Sequence, residues 1–455
     1  MNYIHSLRSF GRIALVLGLG LGAGCATVRH AREIQNGNQS VPGERLLKAG
    51  EVGLSSNTVL TLDKALSIAL AFHPSVFQAQ QALVAATAQV YQAKAAYWPQ
   101  ISASVGESRF TANSQGLPGN NHAVNSFSGS LGLDLLIYDF GKTPAIVRQA
   151  YAHQVAATEA LRAARSDLAF IVRSDFYALG KALELAQVAQ DAVRQYKDHL
   201  DQVQAFREVG RRTRYDVTKS EVDLGNAKLT LIKTRNDVSD ARAALNRGLG
   251  LAEEPGYSLR PEAPTPCPDL TVEHFMVQVR RDHPGLRQLR AQERVANAAV
   301  DEAIATLYPE IGLQAKYGLG GGRFPLAWNW SAGLQAAAQL FTGHKQTWNI
   351  EAALAQLRSA RSKVTDLEQQ IFQDLKGALN LVNSSQQRLD LTDLLGRQAQ
   401  ESLDLVSERY RIGAATAVEV TDAQVALTSA RAEQVKAKFD YQAALAQIKH
   451  TVGEE

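Results

Sequence analysis

Several features that mark particular classes of protein are scarce or absent in this sequence. Its 455 residues include two cysteines, Cys25 and Cys267, whose spacing resembles neither a disulfide framework nor a metal site. The formal net charge is +3, which is too small to indicate a nucleic-acid partner. No Ser/His/Asp set, metal-ligand spacing or phosphate-binding loop is present. We therefore predict that the protein is not an enzyme and holds neither a cofactor nor a metal ion.

Long apolar runs are missing as well, apart from one near the N-terminus. Ile13 to Ala23 follows two arginines and is about half the length that spans a bilayer, which predicts a cleaved export signal. Gly22-Ala23-Gly24-Cys25 is similar to the lipobox of bacterial lipoproteins, although Gly22 replaces the usual Leu. We predict acylation of Cys25; ordinary signal cleavage, with Cys25 an incidental thiol, is the alternative. If the rest of the chain crosses a membrane, it must do so with strands that close into a barrel.

What the sequence does contain is an internal repeat, which organises the whole chain. The matches lie 210 residues apart at first and 203 apart later: His73-Pro74 with His283-Pro284, Pro99-Gln100-Ile101 with Pro309-Glu310-Ile311, Lys142 with Lys345, Gly210 with Gly413, and Val217 with Val420. The seven-residue change falls where Thr111 to Asn125 predicts a loop from its Gly, Asn and Pro content. His73 and His283 each precede a proline that can start a helix, which explains them better than a metal site does.

In each copy a proline is followed by two segments in which apolar residues alternate with small or polar ones, the period of a β-strand. The apolar residues are Ile101, Ala103 and Val105, then Phe127, Leu131, Leu133, Leu135 and Ile137; in copy two they are Ile311, Leu313, Ala315 and Tyr317, then Trp328, Trp330, Leu334, Ala336, Ala338 and Leu340. This alternation suits a sheet between lipid and water, and a soluble sheet packed on a core gives the same pattern. Phe127, Trp328 and Trp330 lie near the loop ends, where membrane-interface aromatics are found. Four strands cannot close a barrel, so insertion would require several subunits.

The remainder of each copy is poor in Gly and Pro, and its apolar residues recur every seven positions, which predicts long helices packed in pairs. In copy one the seam contains Val172, Leu179, Ala186, Val193 and Leu200 and, after a break near Gly210, Val217, Leu224, Leu231, Val238 and Leu245. A solenoid or a cytoplasmic rod would also contain such helices. Neither explains a strand pair inserted at the same place in both copies.

These patterns divide the chain into five parts. We predict a signal peptide at 1–24, a leader at 25–57 that starts at the predicted lipid anchor, a first repeat at 58–250, a Pro-rich connector at 251–271 and a second repeat at 272–455. The first repeat is predicted to have strands at about 100–110 and 126–138 and long helices at about 141–206 and 215–249. The second is predicted to have strands at about 310–318 and 327–341, with Gly318 to Gly322 as a loop, and long helices at about 343–409 and 418–451.

In its order of elements the chain resembles the TolC-like outer membrane factor family over about residues 58–453. The segments that carry the resemblance are Ile137-Tyr138-Asp139-Phe140-Gly141-Lys142, Leu340-Phe341-Thr342-Gly343-His344-Lys345 and Arg409-Tyr410-Arg411-Ile412-Gly413. The resemblance implies a mainly α fold with transmembrane β: each of the two repeats adds a β-hairpin to a shared trimeric barrel of twelve strands and long coiled-coil helices to a periplasmic α-barrel.

The resemblance also implies a function, partners and a location. It implies a homotrimer in the lipid of the bacterial outer membrane that extends into the periplasm, with a periplasmic adaptor and an inner-membrane pump as partners. The expected cargo is small toxic compounds or metal ions, and type I protein secretion is the alternative within the family. A periplasmic adaptor and a structural coiled-coil protein are the alternatives outside it.

Residues at the turns between the long helices match two kinds of site in that family. Gly210, Arg211, Arg212, Gly413 and Ala414 match the tip that docks the adaptor, although a solvated helix end would contain the same residues.

The second kind of site is the gate. Asp216, Glu419 and Asp422 match acidic positions at the constricted entrance, where threefold symmetry would form cation-favouring rings. Stabilisation of a helix N-terminus by these carboxylates is the alternative. Tyr410 matches a position that bridges neighbouring helices, whereas Ala415 stands near the place where the family has an arginine.

Overall fold

The computed structural model describes residues 27–35, 47–54, 58–111, 123–260 and 271–454. The predicted signal peptide, the predicted acylation site Cys25, most of the loop that carries the extra residues of copy one, and the part of the connector at 261–270 lie outside the described residues.

Each copy of the repeat contains two shorter helices and two long ones. In chain order these are α1 (Leu62–Phe72), α2 (Pro74–Lys94), α3 (Lys142–Glu208), α4 (Arg214–Gly248), α5 (Val272–Asp282), α6 (Pro284–Ala305), α7 (Lys345–Arg411) and α8 (Ala417–Val452). The equivalent helices α3 and α7 have 67 residues each, about 100 Å at about 1.5 Å per residue. The duplicated sequence therefore folds into a duplicated structure.

Both His-Pro pairs mark the junction between the two shorter helices of a copy. His73 is the N-cap of α2, and its Nδ1 accepts the amide of Ser75 at 3.2 Å; Nδ1 of His283 accepts the amide of Leu286 at 3.3 Å at the start of α6. The prolines occupy the first helical position, where a missing N–H costs nothing. These histidines are helix caps, as the sequence indicated.

The four long strands form one antiparallel sheet in chain order. They are β1 (Gln100–Thr111), β2 (Ala123–Tyr138), β3 (Glu310–Gly321) and β4 (Ala327–Ala337). Ile101 lies opposite Leu133 in the first hairpin, and their repeat equivalents Ile311 and Ala336 lie opposite each other in the second. The two hairpins therefore share one register, and the extra residues of copy one are confined to its loop.

Three predicted strand ends were wrong, and pairing explains each of them. β2 begins at Ala123, three residues before the predicted start and inside the predicted loop, because β1 offers partners up to Thr111. β3 continues to Gly321 because β2 offers partners up to Phe127, so the glycines predicted as a loop belong largely to the strand. β4 ends at Ala337 instead of near residue 341 because its neighbour β3 begins at Glu310, the partner of Ala337. Beyond that point Leu340 is unpaired and 96% exposed.

The helix predicted from residue 343 begins two residues later. Gly343 and His344 both have positive φ, at 63° and 64°, a conformation that a right-handed helix cannot contain. Lys345 is therefore the first helical residue of α7.

The core of the subunit lies among the helices and consists of three main clusters. One is built on α1, α3 and α4, a second on the equivalent α5, α7 and α8, and the third lies where all four long helices approach their turns. Ion pairs join α3 to α8, from Lys181 to Asp440 at 3.2 Å and from Lys438 to Glu184 at 2.6 Å. The sheet contributes to none of these clusters, whereas the helical part packs as a unit within one chain.

Among the helices in the described part of the chain, none combines the length and apolarity that crossing a bilayer requires.

Candidate functional site

The sheet separates its side chains into one apolar and one polar face across all four strands. Leu131 lies opposite Tyr317, and Tyr317 lies opposite Trp330, so apolar residues align from strand to strand. On the other face Ser104 and Ser130 are paired, with their hydroxyls 2.8 Å apart. The alternation predicted from each strand therefore combines into a single two-faced surface.

Glycines keep the polar face of the sheet closely packed. Gly318 lies opposite Asn329, and a Cβ at Gly318 would come within 2.5 Å of the Asn329 amide oxygen. Gly132 lies opposite Ser102, whose hydroxyl would be 2.9 Å from an added Cβ. These glycines leave room for polar side chains of the neighbouring strand.

The three aromatic residues predicted at a membrane interface lie on the apolar face, near the turn between β3 and β4. Trp328 and Trp330 are 66% and 69% exposed. Phe127 on β2 contacts Phe324 of that turn, with ring centroids 5.3 Å apart. The structure thus brings these aromatics to one end of the sheet; their interfacial role stays a prediction.

At the opposite end of the long helices, the two turns have the same local structure. Gly210 and Gly413 are left-handed, with φ of 77° and 83°. The residue after each glycine donates its amide back to the preceding helix, from Arg211 to the Phe206 carbonyl and from Ala414 to the Arg409 carbonyl, both at 2.8 Å. This is the geometry of a glycine C-cap, so the predicted reversal is confirmed at both turns.

The helix after each turn begins with a reciprocal capping box. Asp216 accepts the backbone N–H of Thr213 at 3.0 Å, and Glu419 accepts that of Thr416 at 3.0 Å. The hydrogen bond from the Thr416 backbone is the main reason that the pKa of Glu419 is lowered. Both carboxylates therefore have the helix-capping role that the sequence offered as an alternative to a gate.

Asp422 differs from these two carboxylates. It lies one turn after Glu419 on α8, is exposed, and forms no hydrogen bond or ion pair with any residue that the structure describes. Of the three acidic residues predicted at the gate, Asp422 is the one whose charge is not used inside the subunit.

Tyr410 lies directly beneath the turns and joins them to the helical core. It is 1% exposed, and burial raises its pKa. The Arg212 guanidinium lies 4.3 Å above its ring and donates to the Ala415 carbonyl at 3.1 Å. Arg212 therefore links the first turn to the second through side-chain contacts. The sequence alone had placed Arg212 at the predicted adaptor-docking tip and had not predicted these contacts.

His199 is a buried polar residue at this end that sequence reasoning missed. It is 4% exposed, its ring centroid is 5.5 Å from that of Tyr410, and burial lowers its pKa. Its Nε2 has no hydrogen-bond partner among the described residues. Its position beside Leu200 of the heptad seam was the sequence feature that could have identified it as buried. A single seam predicts one buried face, however, and α3 is buried on more than one.

The described residues contain no group of three or more His, Cys, Asp or Glu side chains that could hold a metal ion.

A two-faced sheet carried on paired helices of this length is the architecture of an outer-membrane channel subunit. The sequence model of the family described as outer membrane efflux protein matches residues 65–251 and 276–454. The two matched ranges correspond to the two repeats and cover most of the chain. The chain belongs to the outer membrane efflux protein family, a family of outer-membrane channel proteins, as the resemblance predicted.

Individual relatives are distant in sequence. The chain is 24% identical to the probable outer membrane lipoprotein SilC of Salmonella typhimurium, over 75% of this chain and 74% of SilC. It is 22% identical to the alkaline protease secretion protein AprF of Pseudomonas aeruginosa, over 72% of this chain and 70% of AprF.

A solved structure supports the same fold. The Campylobacter jejuni CmeC outer membrane channel is similar with a TM-score of 0.78 and 17% identity, over 86% of this chain and 85% of that one. The predicted fold class, mainly helical with two repeats that each contain a strand pair and long helices, is therefore confirmed.

Proposed function

We propose that three copies of this chain close a twelve-stranded barrel in the outer membrane and continue as a helical tunnel, through which substrates delivered by an inner-membrane pump and a periplasmic adaptor leave the cell. The observation that carries this proposal is the state of the two edge strands. Every residue of β1 and β4 is exposed, and each strand is paired on one side only. Long unpaired edges with an apolar face are aggregation sites unless something covers them.

The repeat specifies how the edges would meet. Within the chain, β2 of copy one pairs with β3 of copy two, and Leu133 lies opposite Ala315. Between chains, β4 of copy two would pair with β1 of the next copy one in the equivalent way. Ala336 is the repeat equivalent of Leu133, 203 residues later, and Val105 is the repeat equivalent of Ala315, 210 residues earlier. Ala336 would therefore lie opposite Val105 of the partner subunit. Both residues belong to the apolar face, so this register extends that face across the junction.

The polar face then lines the interior, because only the apolar face suits contact with lipid. Transport through such a tunnel requires no chemistry on the substrate, and we infer that the chain acts without catalysis. The pump would supply the energy.

For the cargo we propose small toxic compounds or metal ions, in line with the lipoprotein-like N-terminal sequence and the 22% identity to the cation efflux system protein CusC of Escherichia coli, over 76% of this chain and 78% of CusC. The likeness to AprF, a secretion protein by name, makes protein export the second candidate. Deletion of the gene, scored for sensitivity to metals and toxic compounds and for loss of secreted proteins, separates the two.

We also propose that the exposed acidic ring of the tunnel entrance is formed by Asp422. Asp216 and Glu419, the other two acidic residues predicted at the gate, are held in their capping boxes. Gly210, Arg211, Arg212, Gly413 and Ala414 form the end of the subunit that an adaptor would reach.

The purified protein tests the proposal as a whole. Heat-modifiable trimers in the outer-membrane fraction, with stepwise conductance in planar bilayers, are the expected result. A monomer that gives no conductance in any bilayer would refute it.

A further inference from the structure

The two turns share a backbone but differ in charge. Residues 207–216 contain four arginines and two carboxylates, and the equivalent residues 410–419 contain one arginine and one carboxylate. The four arginines and their equivalents are Arg207 with Tyr410, Arg211 with Ala414, Arg212 with Ala415, and Arg214 with Ala417. A duplication that preserved the fold has therefore left the first turn basic and the second neutral.

Three of the four arginines have no polar side-chain partner in the described part of the subunit; the Arg211 guanidinium lies over the Phe206 ring, 5.9 Å from its centroid. Arg212 contacts Tyr410 and Ala415, as described above. Arg207, Arg211 and Arg214 are exposed, and none of their side chains forms an ion pair with the residues that the structure describes.

The arginines of the second turn have partners of their own. Arg411 pairs with Glu408 at 2.9 Å, and Arg409 lies 3.8 Å from Glu419 and donates to the Ala414 carbonyl. Free positive charge is therefore confined to the first turn.

Each turn also has a pair of exposed apolar residues, and in this respect the two turns are alike. Val209 and Tyr215 are 68% and 71% exposed at the first turn. Their repeat equivalents Ile412 and Val418 are 68% and 47% exposed at the second. A partner that contacts both turns can use the same apolar contact at each, but it meets free arginines at only one.

We propose that the first turn binds a segment of a protein partner in which Asp or Glu side chains flank an apolar residue, whereas the second turn binds through apolar contact without carboxylates. This rests on the proposed function, in which a periplasmic adaptor reaches this end of the tunnel. Arginine forms forked, charge-assisted hydrogen bonds with carboxylates, which gives direction as well as attraction. A trimer that alternates basic and neutral turns would fix the rotational position of a partner ring.

A protein is favoured over the lipid in which the sheet would lie because of distance. Helix α3 is about 100 Å long at about 1.5 Å per residue, whereas a bilayer with its headgroups is about 40–45 Å thick. If the sheet lies in the outer membrane, the first turn is beyond the reach of that membrane's headgroups.

The test is photo-cross-linking in cells, with p-benzoylphenylalanine in place of Val209 and, separately, of Ile412. Mass spectrometry then identifies the cross-linked peptide. We expect a protein segment with at least two carboxylates within four residues of the Val209 cross-link, and fewer at the Ile412 cross-link.

Charge reversal makes the test specific. Arg207→Glu, Arg211→Glu and Arg214→Glu combined should reduce the Val209 cross-link at least tenfold, and replacement of the partner's carboxylates by lysine should restore it. The matched control, Lys197→Glu, Lys228→Glu and Lys233→Glu, changes the same charge at exposed residues away from the turn and should leave the cross-link unchanged.

Three results would overturn the inference: a cross-linked segment without carboxylates, a cross-link to anionic lipid instead of protein, or an equal loss in the control. Bilayer conductance of the same variants separates this outcome from failure of the proposed function. Conducting trimers with a non-acidic partner would reject the inference alone.

Discussion

The sheet and the helix-turn end differ in how much of their structure one chain completes. At the turns, four helices from both repeats bury Tyr410 and Leu427 to 1% exposure, and the backbone groups are capped by glycines and capping boxes. In the sheet, by contrast, Trp330 and Leu334 are 69% and 72% exposed, and two edges lack partners. The helical hairpins can therefore complete their core within one subunit, whereas the edge strands β1 and β4 each lack one neighbour in a single chain.

The largest expected effect is on the sheet. Leu334→Lys places a charge on the apolar face of β4, which costs about 2–4 kcal/mol at the middle of a bilayer, and it does so three times in a trimer. We expect loss of assembled trimer from the outer-membrane fraction, while circular dichroism of the purified chain stays helical.

Gln335→Lys, on the polar face of the same strand and opposite the uncharged Gly312, is the matched control and should assemble. Equal loss in both variants would contradict the assignment of the two faces.

A second prediction concerns the packed end. Tyr410→Ala removes a buried aromatic side chain and should destabilise this region by about 3–5 kcal/mol. Hydrogen exchange near the starts of α4 and α8 should accelerate, without loss of trimers. Tyr215→Ala, at a residue that is 71% exposed, should leave exchange unchanged; equal acceleration in the two variants would show that Tyr410 is not part of the packed core.

A third prediction separates two neighbouring carboxylates. Glu419→Ala should accelerate hydrogen exchange in the first turn of α8, because it removes the carboxylate that accepts the backbone N–H of Thr416 in the capping box. Asp422→Asn should leave exchange unchanged and lower cation preference in single-channel recordings. The double variant Glu419→Ala with Asp422→Ala should also lower cation preference, but it should accelerate exchange in the first turn of α8. Unchanged ion selectivity in the double variant would reject the gate assignment.

The smallest expected effect is pH dependence at the packed end. Because burial lowers the pKa of His199, the folded imidazole stays neutral at pH values where the unfolded one, with an ordinary pKa of 6.5, becomes protonated. The local stability is therefore full above about pH 6.5 and falls as the pH drops below it. The charged groups that act on His199 are Asp223, which opposes this shift, and Arg212 and Lys219, which reinforce it.

Hydrogen exchange near α3 at pH 7.5 and 5.5 measures this effect. His199→Gln should make the exchange less dependent on pH. If the pH dependence of exchange is the same in His199→Gln as in the unchanged protein, titratable groups other than His199 cause it.

Much of this arrangement could be predicted from the sequence because it depends on local or repeated patterns. The alternation in each strand predicted that Ile101, Leu133, Ile311 and Ala336 belong to the apolar face, although it did not predict which of them lie opposite each other. The glycine turns follow from one residue each. The ends of β3 and β4 could not be predicted, because they depend on how far a neighbouring strand extends.

Contacts between the two repeats could not be predicted from the sequence either, because they join residues that are far apart in the chain. Arg212 and the Ala415 carbonyl that it contacts are 203 residues apart, and His199 is buried by helices from both copies. The acidic residues at the turns show the same limit. Their position was evident, but the choice between capping and an exposed charge required the geometry of Thr213 and Thr416.

The closure of the sheet between subunits is tested most directly by cross-linking its two edges. With Cys267→Ser as background, Val105→Cys and Ala336→Cys in one chain should form a ring of three covalently joined subunits on oxidation or with a short bismaleimide. The off-register pair Val105→Cys and Ala332→Cys, displaced by four residues or about 13 Å, should not. A ladder that ends at the covalent trimer for the first pair is the predicted result. Absence of intersubunit products from outer-membrane protein, or stronger cross-linking of the displaced pair, would contradict the account.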